Sequence, residues 1–314
     1  MENRIEYIDY IKGFSILWIV WWHTRHPAFV SPYWHVPIFF FISGTFFKKE
    51  TFHGLIQKTM KYLIIPFIFF YILSYFYRIA LYFWDFKEIQ TFNYFSIFDL
   101  FKWEVVGDHL SVNVPLWFLV CLIMSRLLWW FILNISTNKY FIIIISILFF
   151  WLESFVTKHT ILLPFMLPQV LLNSIYFGFG IVFGRKLIEI MANKKNSTIL
   201  FSIATVIFLV FFWISPSTYT NLFQFYAFLI IVFFLFKHFY KLPFAKFFHF
   251  YGINSLIVLG FHVPIQIIYR RIMYRFYGDA TIWTGIADTI LTIITLYFVI
   301  LFLNRYFPQF VGKK

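Results

Sequence analysis

The chain has 314 residues, of which 61% are hydrophobic, 26% aromatic and 12% charged, and its formal net charge is +13. Soluble domains contain about 45–50% apolar and about 25% charged residues, so this composition excludes a soluble enzyme. The basic residues lie in short clusters between apolar runs, which indicates membrane topology signals and argues against nucleic acid as a partner.

The recurring apolar runs predict an all-α membrane protein, a polytopic bundle of about ten transmembrane helices that forms one domain over residues 1–314. Acidic residues before the first run, and no small-residue cleavage site after it, favour a retained helix over a signal peptide. The polar turn Ser136–Lys139 predicts a tight hairpin. The helices are expected near Ile8–Trp22, Trp34–Phe47, Tyr62–Trp84, Val114–Leu133, Tyr140–Phe155, Val170–Phe183, Ile199–Ile214, Phe225–Phe236, Leu256–Tyr269 and Ile282–Leu303.

The lysines and arginines are divided unevenly between the two sides of this bundle. With the N-terminus in the cytoplasm, seventeen fall on the cytoplasmic side and eight on the opposite side. The positive-inside rule therefore predicts that both termini are cytoplasmic. The exception is the outer cluster Arg270, Arg271 and Arg275, which would either grip the phosphates of an acceptor or anchor the protein to lipid headgroups.

Ionisable residues in the first helix form the sharpest functional signal. Eleven positions separate Lys12 from His23, which places them within roughly 20° of one helix face and about 16 Å apart along the axis. Lys12 could contact an anion at the cytoplasmic mouth, with Asp9 orienting it, while the imidazole of His23 could accept a hydroxyl proton. The alternative is that all three are ordinary polar residues of a helix end.

Other polar residues within the apolar runs carry weaker signals. His262 precedes Pro264, whose missing amide frees a backbone carbonyl, and a helix-bridging or a catalytic histidine fits that position. His26 and His35 lack acidic or cysteine companions, so no metal is expected. Buried ion pairing, or alternatively proton coupling, is expected of four charged residues inside predicted helices, namely Glu153, Asp288, Arg78 and Arg126.

Four segments, in chain order, resemble membrane-bound acyltransferase family 3, and in appearance its fucose 4-O-acetylase-like branch. The first is Tyr7–Gly13 with His23 eleven residues after Lys12, and the second is the aromatic-flanked Ser-Gly of Phe40–Phe46. The third is Pro115–Leu119, and the fourth is Tyr251–Leu256 followed by His262. We refer to these below as the four motif segments.

The resemblance implies a membrane O-acyltransferase that moves an acetyl group from cytoplasmic acetyl-CoA to a sugar hydroxyl of a surface polysaccharide or its lipid-linked precursor. It would be a multi-pass protein of the inner (cytoplasmic) membrane, surrounded by membrane lipids, and homo-oligomer formation stays open. The residues proposed for these roles are His23, Ser43 and Asn254 for catalysis, Lys12, Asp9, Lys48 and Lys49 for the CoA, and Trp117, His262, Arg270 and Arg271 for the acceptor.

The sequence departs from the family pattern at two points, and the second of them leaves acceptor handling open. Lys12 stands where arginine is common, and no glutamate pair follows Pro115–Leu119. A multi-pass glycan exporter or small-solute transporter is the main alternative, although the paired broken helices typical of such proteins are not visible. A glycan polymerase would need a basic outer loop, whereas the segment Asp85–Asn113 is acidic and is expected to lie on the membrane surface or to cap a cavity.

Overall fold

A computed structural model describes residues 5–24, 34–84, 93–101, 112–159, 163, 165–214, 218–278 and 281–313. This described part of the chain is predominantly helical and contains no strand. Short 3₁₀ turns cover Tyr94–Phe101, Val114–Leu116 and Pro308–Val311. The α-helices are α1 Glu6–Trp22, α2 His35–Thr45, α3 Phe52–Thr59, α4 Ile65–Trp84, α5 Trp117–Ile135, α6 Lys139–Lys158, α7 Leu167–Ala192, α8 Lys194–Phe212, α9 Thr218–Phe239, α10 Ala245–Gly252, α11 Ser255–Tyr277 and α12 Ile282–Tyr306.

Eight helical segments of the described chain are long and apolar enough to cross a membrane. The protein is therefore an all-α polytopic membrane protein, as the sequence predicts. The two remaining helices of the predicted set are shorter: α1 has 17 residues with charges in its first half, and α2 is a mainly apolar helix of 11 residues. Many large apolar side chains face outward, including Trp151, Val206 and Phe298, which are 57%, 61% and 62% exposed and suit contact with lipid tails.

The helix boundaries differ from the predicted ones mainly at polar ends. The third predicted helix is the C-terminal part of a longer helical segment, Phe52–Trp84. This segment contains a π-helical turn at Met60–Ile64. α7 continues to Ala192, and α8 already begins at Lys194. Apolar runs end where charged residues begin, whereas the backbone ladder continues past them. The short helix α10 was not predicted, because its eight residues form no separate apolar run.

Local sequence accounts for several helix starts. At the turn predicted over Ser136–Lys139, α5 ends at Ile135 and α6 begins at Lys139, and Asn138 caps α6 by accepting a hydrogen bond from the Tyr140 amide. Thr281 and Thr284 form a reciprocal capping box at the start of α12. Such caps satisfy amides that have no partner within the first turn, which fixes where each helix begins.

Glycines allow two helix pairs to approach so closely that a β-carbon would not fit. A Cβ on Gly13 of α1 would overlap the Phe248 carbonyl of α10, and one on Gly252 would overlap the Asp9 carbonyl. Likewise, a Cβ on Gly44 of α2 would overlap the backbone of α7. Small residues drive helix association in membranes in this way. These contacts fix α1 and α2, which carry Lys12, His23 and Ser43.

Proline 264 lies inside α11 and leaves the carbonyl of Gly260 without its helical donor. The side-chain amide of Asn113 fills that position, since its Nδ2 donates to Gly260 O at 2.8 Å and lies 2.8 Å from Ser74 Oγ. Tyr77 Oη in turn donates to Pro264 O at 2.6 Å. The proline break therefore joins α4, the turn before α5 and the middle of α11.

Candidate functional site

A cavity of about 840 Å³ lies between α1, α2, α5, α7 and α11. All four motif segments contribute to its wall. Lys12 and His23 come from the first, Ser43 from the second, Pro115, Trp117, Phe118 and Leu119 from the third, and Ser255 and Leu256 from the fourth. The volume falls within the range of about 300–1,000 Å³ that small-molecule sites occupy.

The cavity follows α1 from Lys12 to His23, so it has two chemically different ends. At the end near His23, the ring centroids of Trp22 and His35 lie 5.8 Å apart, so the start of α2 lies beside the end of α1. Ser43 is eight residues further along α2, about 12 Å away and thus nearer Lys12. We call these regions the Lys12 end and the His23 end.

The Lys12 end carries positive charge and the start of a helix. Lys12 Nζ lies 3.6 Å from Asp9 Oδ1, and their side chains are 32% and 8% exposed. Asp9 itself does not line the cavity. Ser255, the first residue of α11, lines the same end, where backbone amides lack helical partners. This combination suits an anionic group.

The His23 end is polar and brings together residues from α1, α2, α7 and α11. Arg270 donates from its Nη2 to the His23 carbonyl at 2.9 Å, which ties α11 to the end of α1. The ring centroids of His23 and His262 are 5.1 Å apart. His35 and Gln169 line the same region of the cavity. Two histidines from different helices thus stand beside each other at this end.

His262 is held in one tautomer by its own helix. It is fully buried, and its Nδ1 lies 2.8 Å from Val258 O and 3.1 Å from Leu259 O. A carbonyl can only accept, so Nδ1 carries the proton and Nε2 carries a lone pair. Nε2 is buried without a hydrogen-bond partner. His262 therefore presents a hydrogen-bond acceptor next to His23.

Arg270 also forms an ion pair with α12. Its Nε lies 3.8 Å from Asp288 Oδ2, and Asp288 accepts a hydrogen bond from Thr292 at 3.2 Å. The Asp288 side chain is only 3% exposed, so the pair holds a charge that would be costly alone. A second pair joins Arg126 Nη2 and Glu50 Oε1 at 3.8 Å, close to the end of α2.

Several residues selected from the sequence lie elsewhere. Asn254 is 3% exposed and does not line the cavity; its Oδ1 accepts from Asn304 at 2.9 Å and from Lys313 at 2.5 Å. These bonds join the start of α11 to α12 and to the C-terminal segment. Lys48 and Lys49 are exposed in the segment after α2 and also lie outside the cavity wall. Arg271 lines a separate cavity.

Of the two histidines considered as metal ligands, the structure describes only His35. His26 lies outside the described residues, whereas His35 is 4% exposed and lines the cavity. Within the ranges that the structure covers, no group of three or more His, Cys, Asp or Glu side chains is placed to hold a metal ion.

Comparison with protein-family models matches the acyltransferase domain of acyltransferase family 3 over residues 5–305. The chain belongs to acyltransferase family 3. The match includes all four motif segments and all the residues that line the cavity. Neither the curated proteins nor the solved structures contain a match to this family member.

Most residues of the cavity wall of this acyltransferase were not selected from the sequence, and Tyr62, Met166, His35 and Gln169 are examples. Tyr62 lies in the π-helical turn, Met166 precedes α7, and His35 and Gln169 lie in the first turns of α2 and α7. In the sequence, each of them lies near the end of an apolar run. Residues at the membrane interface occupy the same positions, so the sequence does not distinguish the two. Only the packing of α7 against α2 brings Gln169 to the cavity.

Proposed function

We propose that this acyltransferase moves an acetyl group from acetyl-CoA to a hydroxyl group of a surface-glycan sugar or of its lipid-linked precursor. The observation that carries the proposal is one cavity with Lys12 at one end and His23 at the other. The two residues are about 16 Å apart along α1, so an extended donor entering beside Lys12 could reach the acceptor beside His23.

In this proposal the Lys12 end holds the phosphates of CoA. Lys12 supplies a charge-assisted hydrogen bond, with Asp9 holding its ammonium group in place. The first amides of α11 at Ser255 add further donors for an anion. Lys48 and Lys49 follow the end of α2 and raise the positive potential outside this mouth. Ser43 then contacts the donor along the cavity.

At the His23 end the imidazole acts as general base. A His23 nitrogen takes the proton of the sugar hydroxyl as the oxygen forms a bond to the acyl carbon of the thioester. The tetrahedral intermediate then collapses, the carbon–sulfur bond breaks, and the CoA thiolate receives the proton from the imidazolium. The products are the acetyl ester and free CoA, so no other reactant is needed. This base contributes about 10²- to 10⁴-fold in rate.

His262 serves as a positioning residue for this base. Because its Nδ1 proton is bound to its own helix, its Nε2 can only accept, and the neighbouring His23 ring is the donor that it favours. An N–H of His23 directed to His262 leaves the other nitrogen of His23 free of its proton. Arg270 holds the backbone of His23 at the same time. Both contacts would fix the base before the acceptor arrives.

The developing oxyanion requires donors inside the cavity. Trp117 lies between the two ends, since its neighbour Phe118 packs against Phe39 and Phe40 of α2 at 5.7 and 5.2 Å between ring centroids. Its indole N–H and the side-chain amide of Gln169 are donors on the cavity wall. We assign the oxyanion to these two groups, in place of Asn254, whose side chain is engaged elsewhere.

The proposal is tested by mass spectrometry of surface glycan from a deletion strain complemented with defined variants. Wild-type protein should add one acetyl mass, and His23→Ala should not. His53→Ala is the matched control, because His53 is exposed on α3 and does not line the cavity. Identical glycan masses in the deletion and wild-type strains would overturn the proposal and favour a transporter.

A further inference from the structure

A second cavity of about 660 Å³ lies at the carboxyl end of α11, beside the last residue of α4. The residues that line it are Trp84, Ile267, Arg270, Arg271, Ile272, Tyr274, Arg275 and Phe276. Three of them are arginines, of which Arg270 is paired with Asp288 of α12. Such a cluster in a largely apolar wall indicates an anionic ligand.

The arginines are arranged so that they can share one anion. Arg270 is fixed by Asp288 and by the His23 carbonyl, so its position is set by the fold. Arg271 donates to the Leu81 carbonyl at 3.5 Å, a long bond that holds its side chain against α4. Arg275 is exposed one turn further along α11. A guanidinium group can donate two parallel hydrogen bonds to two oxygens of a phosphate.

The remaining wall of this second cavity carries large exposed aromatic side chains. Trp84 is 55% exposed, Tyr274 52% and Phe276 76%, although all three are large side chains in helices of the membrane bundle. Lipid tails can pack against such surfaces, whereas a small soluble anion would make no favourable contact with them. The ligand that fits both walls is an amphiphile, with a phosphate at the arginines and an apolar chain along the aromatic residues.

The second cavity adjoins the first. Ile267 and Arg270 line both of them, and Arg270 is hydrogen bonded to His23. A phosphate held at Arg271 and Arg275 would therefore place its attached group at the His23 end. This connection favours a lipid that carries a sugar, since its headgroup could reach His23 while its phosphate stays at the arginines.

We propose that the second cavity binds the phosphate of a lipid-linked sugar acceptor, whose sugar enters the first cavity beside His23. This inference rests on the proposed function and narrows it, because it selects the lipid-linked precursor over the finished polymer. The cluster of Arg270, Arg271 and Arg275 would then bind substrate instead of anchoring the protein to lipid headgroups.

The test measures ligand binding to the full-length protein in detergent by native mass spectrometry. The probes are farnesyl diphosphate, which carries phosphate on an isoprenoid chain, and farnesol, which lacks the phosphate. Wild-type protein should bind farnesyl diphosphate in preference to farnesol, and Arg271→Gln with Arg275→Gln should weaken that binding about tenfold or more. Lys158→Gln removes one exposed charge outside both cavities and should change nothing.

Phosphatidylglycerol added as competitor separates a substrate site from a lipid anchor. The proposal expects little competition, because the phosphodiester of phosphatidylglycerol carries one negative charge, whereas a diphosphate offers the arginines more charge and more oxygens. Equal competition by phosphatidylglycerol, or farnesyl diphosphate binding that the double variant leaves intact, would overturn it. The assay requires no turnover, so an absence of acetyl transfer would refute the proposed function without altering the binding result.

Discussion

The proposed contact between His23 and His262 can be tested by a substitution that should change activity and thermal stability in different directions. His262→Phe keeps a ring of similar shape in the fully buried site and removes both ring nitrogens. The two carbonyls that Nδ1 contacts belong to α11 itself, and burying an apolar ring costs less free energy than burying a polar one. We therefore expect the midpoint of thermal unfolding to stay the same or to rise.

Activity should respond in the opposite direction. Without the acceptor of His262, the His23 ring loses one of the contacts that orient it, and a displacement of about 1 Å at a reacting group costs about 10²-fold in rate. We expect kcat to fall by roughly 10- to 100-fold. KM for acetyl-CoA should stay the same, because the Lys12 end lies about 16 Å away along α1.

The assay measures initial rates of label transfer from radioactive acetyl-CoA by protein in proteoliposomes, together with thermal unfolding of the same preparation. His262→Gln is the informative control, since its side-chain oxygen still offers an acceptor near the position of Nε2, and it should keep more activity than His262→Phe. Full activity in His262→Phe would refute the positioning role. A parallel loss of activity and stability in both variants would refute it as well.

Three further predictions concern the donor, the helix packing and the proline break. Lys12→Gln should raise KM for acetyl-CoA about tenfold, and Lys12→Arg should restore it; equal KM values in both would contradict the donor assignment. Gly13→Ala should lower the yield of monodisperse protein in size-exclusion chromatography, because its Cβ would overlap α10, whereas Gly54→Ala on α3 should not. Asn113→Leu leaves the Gly260 carbonyl without its donor and should destabilise the protein by about 1–3 kcal/mol, seen as a lower unfolding midpoint; an unchanged midpoint would count against that role.

The general architecture followed from the sequence because a single physical rule governs it. Apolar runs must be helical in lipid, so composition and length predicted the fold class and most of the helices. Helix ends were predicted less well, since α8 begins among lysines that hydropathy assigns to a loop. The π-helical turn at Met60–Ile64 leaves no trace in the hydrophobic pattern.

The first-helix pair could be predicted because both residues lie on one helix, where spacing determines the shared face. Lys12 and His23 indeed line the same cavity. Residues from different helices could not be placed in this way. Asn254 and Gln169 show the difference: the chain packing directs the first towards Asn304 and the second into the cavity wall. The contact of His262 with His23 likewise depends on how α11 crosses α1.

The most direct measurement is acetyl transfer by purified protein in proteoliposomes, with radioactive acetyl-CoA as donor and glycolipid from the deletion strain as acceptor. Wild-type protein should label a sugar hydroxyl, and His23→Ala should not, although it should elute and unfold as wild type does. Equal labelling by His23→Ala would contradict the role of His23. Unlabelled glycolipid with folded wild-type protein would contradict acetyl transfer to this acceptor.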